Sequence, residues 1–135
     1  HGLGVGTTRD MRSVVTGIFL PSLVSPDYTP REKVNLWRGK VFSRRSGLWD
    51  AMLSTDLTRL VPGLPLPAYY LHGKYDHTVS YDLARAYAGD FRGPRVGFYT
   101  FPQSAHSPAL EEPERTLRIL REDVLTGRTA LADAL

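Results

Sequence analysis

Two short apolar runs rich in aromatics, from Ala68 to His72 and from Val96 to Phe101, flank a segment with Val79, Leu83, Ala86 and Tyr87 at helical spacing. Apolar runs without alternation suit strands covered on both faces, the condition of a parallel sheet. Parallel strands need a crossover rather than a tight turn, and the helix expected from about Ser80 to Asp90 supplies one. The pattern therefore restricts this part of the chain to a strand, helix, strand unit of an α/β fold.

The texture changes at Pro62-Gly63-Leu64-Pro65-Leu66-Pro67, where three prolines forbid a continuing helix and favour an extended connector. Residues 1–61 before it read as helical hairpins, and residues 62–135 after it as alternating strand and helix. Thr7 or Thr8 is expected to cap a helix carrying Met11, Val14, Val15, Ile18 and Phe19 that stops near Pro21. Thr29-Pro30-Arg31-Glu32 has the N-cap hydroxyl, first-turn proline and returning glutamate of a capping box, so a helix is expected to about Phe42, with Val34, Trp37 and Val41 on one stripe. A further helix from about Leu48 to Leu57 repeats the pattern with Trp49, Met52 and Leu53. These stripes should give each helix a buried side.

After His106, Pro108 and Pro113 delay the last helix, whose positive end Glu111, Glu112 and Glu114 favour. Leu117, Leu120 and Val124 form its core stripe, while Glu111/Arg115 and Glu114/Arg118 stand four apart. The tail from Thr126 to Leu135 is expected to be a frayed extension.

With 41% hydrophobic residues, the chain has enough apolar material for one ordinary core. It contains no cysteine, which removes thiol catalysis, disulfides and sulfur-ligated zinc together. No apolar run approaches the roughly 20 residues of a bilayer span. The net charge is +3, and the basic excess sits in the first half, scattered over Arg9, Arg12, Lys33, Arg38, Lys40, Arg44 and Arg45 without a nucleic-acid-binding module, so solvated helix faces explain it. The chain begins at His1 rather than Met and is expected to be cut from a longer protein. Its compartment stays open, with the cytoplasm as the default.

The chemistry concentrates at two loop positions. Asp76 follows the first apolar run and His106 the second, thirty positions later. Loops at the carboxyl ends of parallel strands gather in one crevice, so the two side chains are expected to touch. A carboxylate that accepts from one imidazole nitrogen fixes the tautomer and leaves the other nitrogen to take a proton from a nucleophile. Asp76 is thus the orienter and His106 the base; the bland reading makes Asp76 a turn residue and His106 a solvated loop residue.

From Pro67 to about Leu125 the chain resembles the C-terminal portion of an α/β-hydrolase. The resemblance rests on an apolar strand, His72-Gly73-Lys74-Tyr75-Asp76, a helix, a second strand, Gln103-Ser104-Ala105-His106-Ser107-Pro108 and Glu112-Pro113-Glu114. In that family the acid and histidine follow the nucleophile in chain order. Residues 9–60 resemble the helical lid inserted ahead of the acid-bearing strand, and Gly4-Val5-Gly6-Thr7 its entry in proline-iminopeptidase-like members. The resemblance implies a partial α/β-hydrolase fold: a lid, two parallel strands with their crossover, and C-terminal helices. It also implies a hydrolase of small-molecule esters or amides, no cofactor, and a missing N-terminal half as structural partner.

No G-x-S-x-G occurs, so the nucleophile is not in this chain, which alone should be inactive and, with two strands exposing their edges, unstable. An aspartate nucleophile on the missing elbow would make the parent a dehalogenase or epoxide hydrolase, and loss of the nucleophile would make it a binding module. Ser104 and Ser107 neighbour His106 but read as loop hydroxyls bonded to local backbone. His1-Gly2-Leu3-Gly4 resembles an oxyanion loop but reads better as a glycine-rich connector. His72 and His77 flank Asp76 without the converging scaffold of a metal site: His72 should end a strand with its ring on the next loop, and His77 should be exposed. Trp37, Phe42, Trp49 and Leu53 read as lid packing, with an apolar substrate pocket as the alternative.

Overall fold

In the computed structural model, which describes residues 7–135, β1 (Ala68–Gly73) and β2 (Val96–Phe101) pair in parallel from Ala68 opposite Val96 to Gly73 opposite Phe101. The crossover is α5 (Tyr81–Asp90), which starts where the Ser80 hydroxyl accepts from Leu83 N at 3.3 Å. The side chains of β2 alternate between two covered faces. Phe98 points to the α5 side, stacked on Tyr70 and His72 and edge-on to Tyr81. Tyr99 and Phe101 point to the other side and pack with Ile119. All three β2 aromatics are completely buried, each worth about 1.5–3 kcal/mol of apolar transfer. An unalternating run is what a strand covered on both faces requires, and β2 has that environment.

Two compact units divide the chain: residues 14–60 form one, and residues 61–135 with the described residues 7–13 form the other. The upper boundary falls beside the proline connector, whereas 7–13, grouped in sequence with the helices, share contacts with the strand unit instead. The connector is held to the segment between α5 and β2 by hydrogen bonds between Pro62 O and Arg92 N and between Arg92 O and Leu64 N, both 2.9 Å.

The C-terminal helix breaks into α6 (Pro108–Glu111) and α7 (Pro113–Ile119), which runs on into a wide five-residue turn, Leu120–Val124. The surface pairing differs from the expected one: Arg118 pairs forward with Glu122 at 3.0 Å, and Arg115 lies over the Phe101 ring. The tail is not frayed. Asp123, wholly buried, accepts from Tyr99 Oη at 2.9 Å and from Ala130 N and Leu131 N at 2.9 and 2.8 Å, folding the chain back. Asp133 then donates its N–H to Phe98 O and accepts from Thr100 N, both at 2.8 Å, so the tail covers the outer edge of β2. The expected exposure of both sheet edges is corrected for that edge; β1 has no second strand partner among the described residues.

In the other unit, helical structure begins later than expected, with the wide turn Val15–Phe19 leading into α1 (Leu20–Val24). Pro21 does not stop it, because it sits in the first turn of α1, where a missing N–H is harmless. α2 (Pro30–Arg45) opens with the full capping box: Glu32 N donates to Thr29 Oγ1 at 3.3 Å and Thr29 N donates to Glu32 Oε2 at 2.8 Å. α3 (Leu48–Ser54) and α4 (Leu57–Leu60) split the helix expected to run through Leu57. The expected buried sides are absent from these helices, none of which has a buried residue. Internal order comes from the edge-on Phe19/Trp37 pair at 4.7 Å and the bond from Trp37 Nε1 to Ser22 Oγ at 3.1 Å.

Candidate active site

The loop after β1 carries on the sheet ladder for one residue, with Lys74 N donating to Phe101 O at 2.9 Å, and then crosses to the other loop, with Tyr75 N donating to Ser104 O at 3.0 Å. A turn closed by Asp76 N on Gly73 O presents the Asp76 carboxylate inward, with its side chain 4% exposed. Oδ1 accepts from Thr78 N at 2.8 Å and Val79 N at 3.2 Å, the Asx arrangement that starts the approach to α5. Oδ2 faces His106 Nδ1 at 2.7 Å. One oxygen of the side chain therefore closes the turn and the other faces the imidazole.

Burial pushes the Asp76 carboxyl up, but the hydrogen bonds from His106, Thr78 and Val79 and the positive charge His106 can carry outweigh it and hold the group below its usual range. An ionised carboxylate only accepts, so Nδ1 carries a proton and donates to Oδ2; the neutral form of such a ring has its lone pair on Nε2. The His106 side chain is 44% exposed. Among the described residues, no hydroxyl bonds its second nitrogen.

Gly73 makes the close approach of the two loops possible. A Cβ at this position would lie 1.9 Å from Ala105 O and 2.5 Å from Ser104 O, so only glycine lets the histidine loop rest on the aspartate loop. Sequence reading missed its role; the signal available was a glycine at the end of an apolar strand, a mark of close backbone approach.

Ser104 is fully buried and donates to Glu112 Oε2 at 2.7 Å, so its hydroxyl is already committed. Ser107 is the residue before α6, without a side-chain capping bond. The His1-Gly2-Leu3-Gly4 segment and most of Gly4-Val5-Gly6-Thr7 lie outside the described residues. His72 is placed differently from expectation: its ring stacks on Phe98 of β2 and meets Tyr81 of α5 edge-on, rather than lying on the next loop. His77 is exposed, and no cluster able to hold a metal occurs among the described residues. In the helical unit, Trp37 and Phe42 line an apolar groove with Phe19, Leu23, Val34 and Val41, while Trp49 lines a mixed one with Leu48, Met52, Lys40, Ser43 and Arg44. No described helix is long and apolar enough to cross a membrane.

Two further features escaped the sequence reading. Arg9 reaches both loops: its guanidinium lies 4.0 Å from the Tyr75 ring and 3.3 Å from Gln103 Oε1. Glu111 and Glu112, read as helix-end charges, turn back to the histidine loop.

Comparison with known proteins yields two curated relatives. A probable aminopeptidase, YbaC, of Bacillus subtilis is 27% identical over 108 residues, covering 80% of this chain and 33% of that protein. A protein of Mycoplasma genitalium named as an esterase/lipase is 29% identical over 59 residues, covering 44% of this chain and 22% of its own. The chain thus spans about a third or less of the relatives it matches. No family model matches the chain. No solved structure matches it significantly.

Proposed function

We propose that this chain is the lid and last strand units of an α/β-hydrolase that attacks an ester or amide carbonyl, with Asp76 and His106 as acid and base of a Ser-Asp-His triad. The observation that carries the reading is the 2.7 Å contact between His106 Nδ1 and an Asp76 carboxylate anchored by two backbone amides. The printed names of the two relatives, an aminopeptidase and an esterase/lipase, support carbonyl hydrolysis as the reaction class. Residues 14–60 correspond in chain order to the lid inserted ahead of the acid-bearing strand.

In this mechanism His106 Nε2 removes the proton of a nucleophile supplied by the remainder of the fold as that oxygen attacks the carbonyl carbon. The imidazolium formed is stabilised by Asp76 Oδ2 and then gives the proton to the leaving alcohol or amine. Because Oδ1 is held by Thr78 and Val79, the carboxylate cannot rotate without breaking two hydrogen bonds, so the imidazole keeps one orientation through both transfers.

The test uses the full-length protein. Asp76→Asn and His106→Ala should each lower kcat on an ester substrate by about 10³- to 10⁴-fold, and a fluorophosphonate should label the parent. Near-normal rates in both variants would sink the assignment. Absence of label, with turnover of a haloalkane or epoxide that depends on both residues, would shift the nucleophile from serine to aspartate.

A further inference from the structure

We propose that Glu112, assisted by Glu111, is a positioning residue that sets the height of the His106 loop, so that the imidazole meets Asp76. The inference rests on the base role proposed for His106 and adds the device that holds the base in place. Glu112 Oε2 accepts from Gln103 N at 3.1 Å and from Ser104 Oγ at 2.7 Å. Glu111 accepts from Ala105 N at 2.8 Å through Oε2 and from Arg9 N through Oε1. Three consecutive residues immediately before His106 therefore each give a donor to one of two adjacent carboxylates.

The same loop is held from its other side by the aspartate loop. Ser104 O accepts from Tyr75 N at 3.0 Å, and the carbonyls of Ser104 and Ala105 press on the bare α-carbon of Gly73. Donors face the glutamates and acceptors face the aspartate loop, which leaves the loop little freedom to slide along either.

The local sequence explains why the carboxylates point this way. Pro108 opens α6 and Pro113 opens α7, and Glu112 sits at the joint between them with φ −129° and ψ 64°, outside helical geometry. A continuous helix would send the side chains of 111 and 112 in directions about 100° apart around its axis. The break brings both onto one loop.

A loop with buried backbone amides needs acceptors whatever its function, since an unpaired buried N–H is costly. What separates positioning from simple satisfaction is the amplitude required. Proton transfer depends on alignment at the scale of an ångström, so a small displacement of His106 should reduce turnover far more than it reduces stability.

The experiment compares Glu112→Ala, Glu112→Gln and His106→Ala in the full-length protein, reading kcat, KM, the pH profile of kcat, the melting temperature and the low-field proton NMR signal of His106 Nδ1–H. Glu112→Ala leaves the Glu111 bond to Ala105 intact, and it should lower kcat by about 10- to 100-fold with KM changed less than about three-fold. It should also shift or broaden the low-field signal and displace the acid limb of the pH profile. Glu112→Gln, which keeps a carbonyl acceptor for Gln103 N, should recover to within about three-fold of the parent kcat. Unchanged kcat and an unchanged signal in Glu112→Ala would overturn the inference, as would a lowered melting temperature with the signal of the folded protein unmoved. If Glu112→Ala does not fold, Glu112→Asp, which keeps the charge but shortens the reach to the loop, decides by the same signal and pH profile, with no displacement of either counting against the inference. Should His106→Ala retain the parent rate, the base assignment fails by itself; the signal in Glu112→Ala still reports whether Glu112 holds His106 against Asp76.

Discussion

The strand unit and the helical unit differ in what keeps them ordered. In residues 61–135, Phe98, Tyr99 and Phe101 have no exposed surface, and a buried Asp123 ties the tail to the sheet. In residues 14–60, comparable side chains stay in the open: Phe42 is 74% exposed, Leu53 67% and Trp49 60%. That unit relies on short-range devices, the Thr29/Glu32 box and the Phe19/Trp37 pair. An apolar stripe thus identifies the side of a helix that favours cover, whereas only the tertiary structure supplies the covering element.

The largest contrast should come from truncating one phenylalanine in each unit. Phe101→Ala removes a fully buried ring beside Tyr99 and Ile119 and is expected to cost about 3–5 kcal/mol in denaturant unfolding. Phe42→Ala should change stability by no more than about 0.5 kcal/mol, because little of its surface is withdrawn from water. A loss at Phe42 approaching that at Phe101 would break the comparison and show that another segment covers the groove it lines.

Much of the strand unit could be read from one dimension because its signals are local and mutually consistent. The β2 run from Val96 to Phe101 has the bounds its apolar stretch suggests, and the Asp76/His106 meeting follows from two loops at the same end of parallel strands. The docked tail was illegible because most of the groups that Asp123 and Asp133 bond, the amides of Thr100, Ala130 and Leu131 and the carbonyl of Phe98, belong to the backbone and leave no trace in residue type. Glu111 and Glu112 were misread for a related reason. Acidic residues before an apolar stripe look like helix-end charges, and only the break between α6 and α7 redirects them.

Glycine-to-alanine exchange sharpens the contrast through a change of sign. Gly73→Ala drives a Cβ into the carbonyls of Ser104 and Ala105, and it should destabilise the strand unit by about 2–3 kcal/mol while displacing the histidine loop. Gly39 lies inside α2 with nothing within 4 Å of the added methyl, so Gly39→Ala should stabilise by about 0.5–1 kcal/mol through helix propensity alone. Equal effects in denaturant melts, in sign or size, would show that the two backbones are packed alike.

The smallest expected effect tests whether the helical unit depends on local chemistry. The Glu32 carboxyl accepts from Thr29 Oγ1 at 2.7 Å and from Thr29 N at 2.8 Å, bonds that hold it below its usual range, while Thr29 Oγ1 also accepts from Glu32 N. Thr29→Ala removes the acceptor for a first-turn amide and should cost about 1 kcal/mol. The loss should be confined to faster hydrogen exchange in the first turns of α2, with the amides of β2 unaffected, because α2 has no buried residue. If instead the β2 amides lost protection in step with those of α2, the two units would unfold as one cooperative body, and order in the helices would have to come from packing as it does around Phe101.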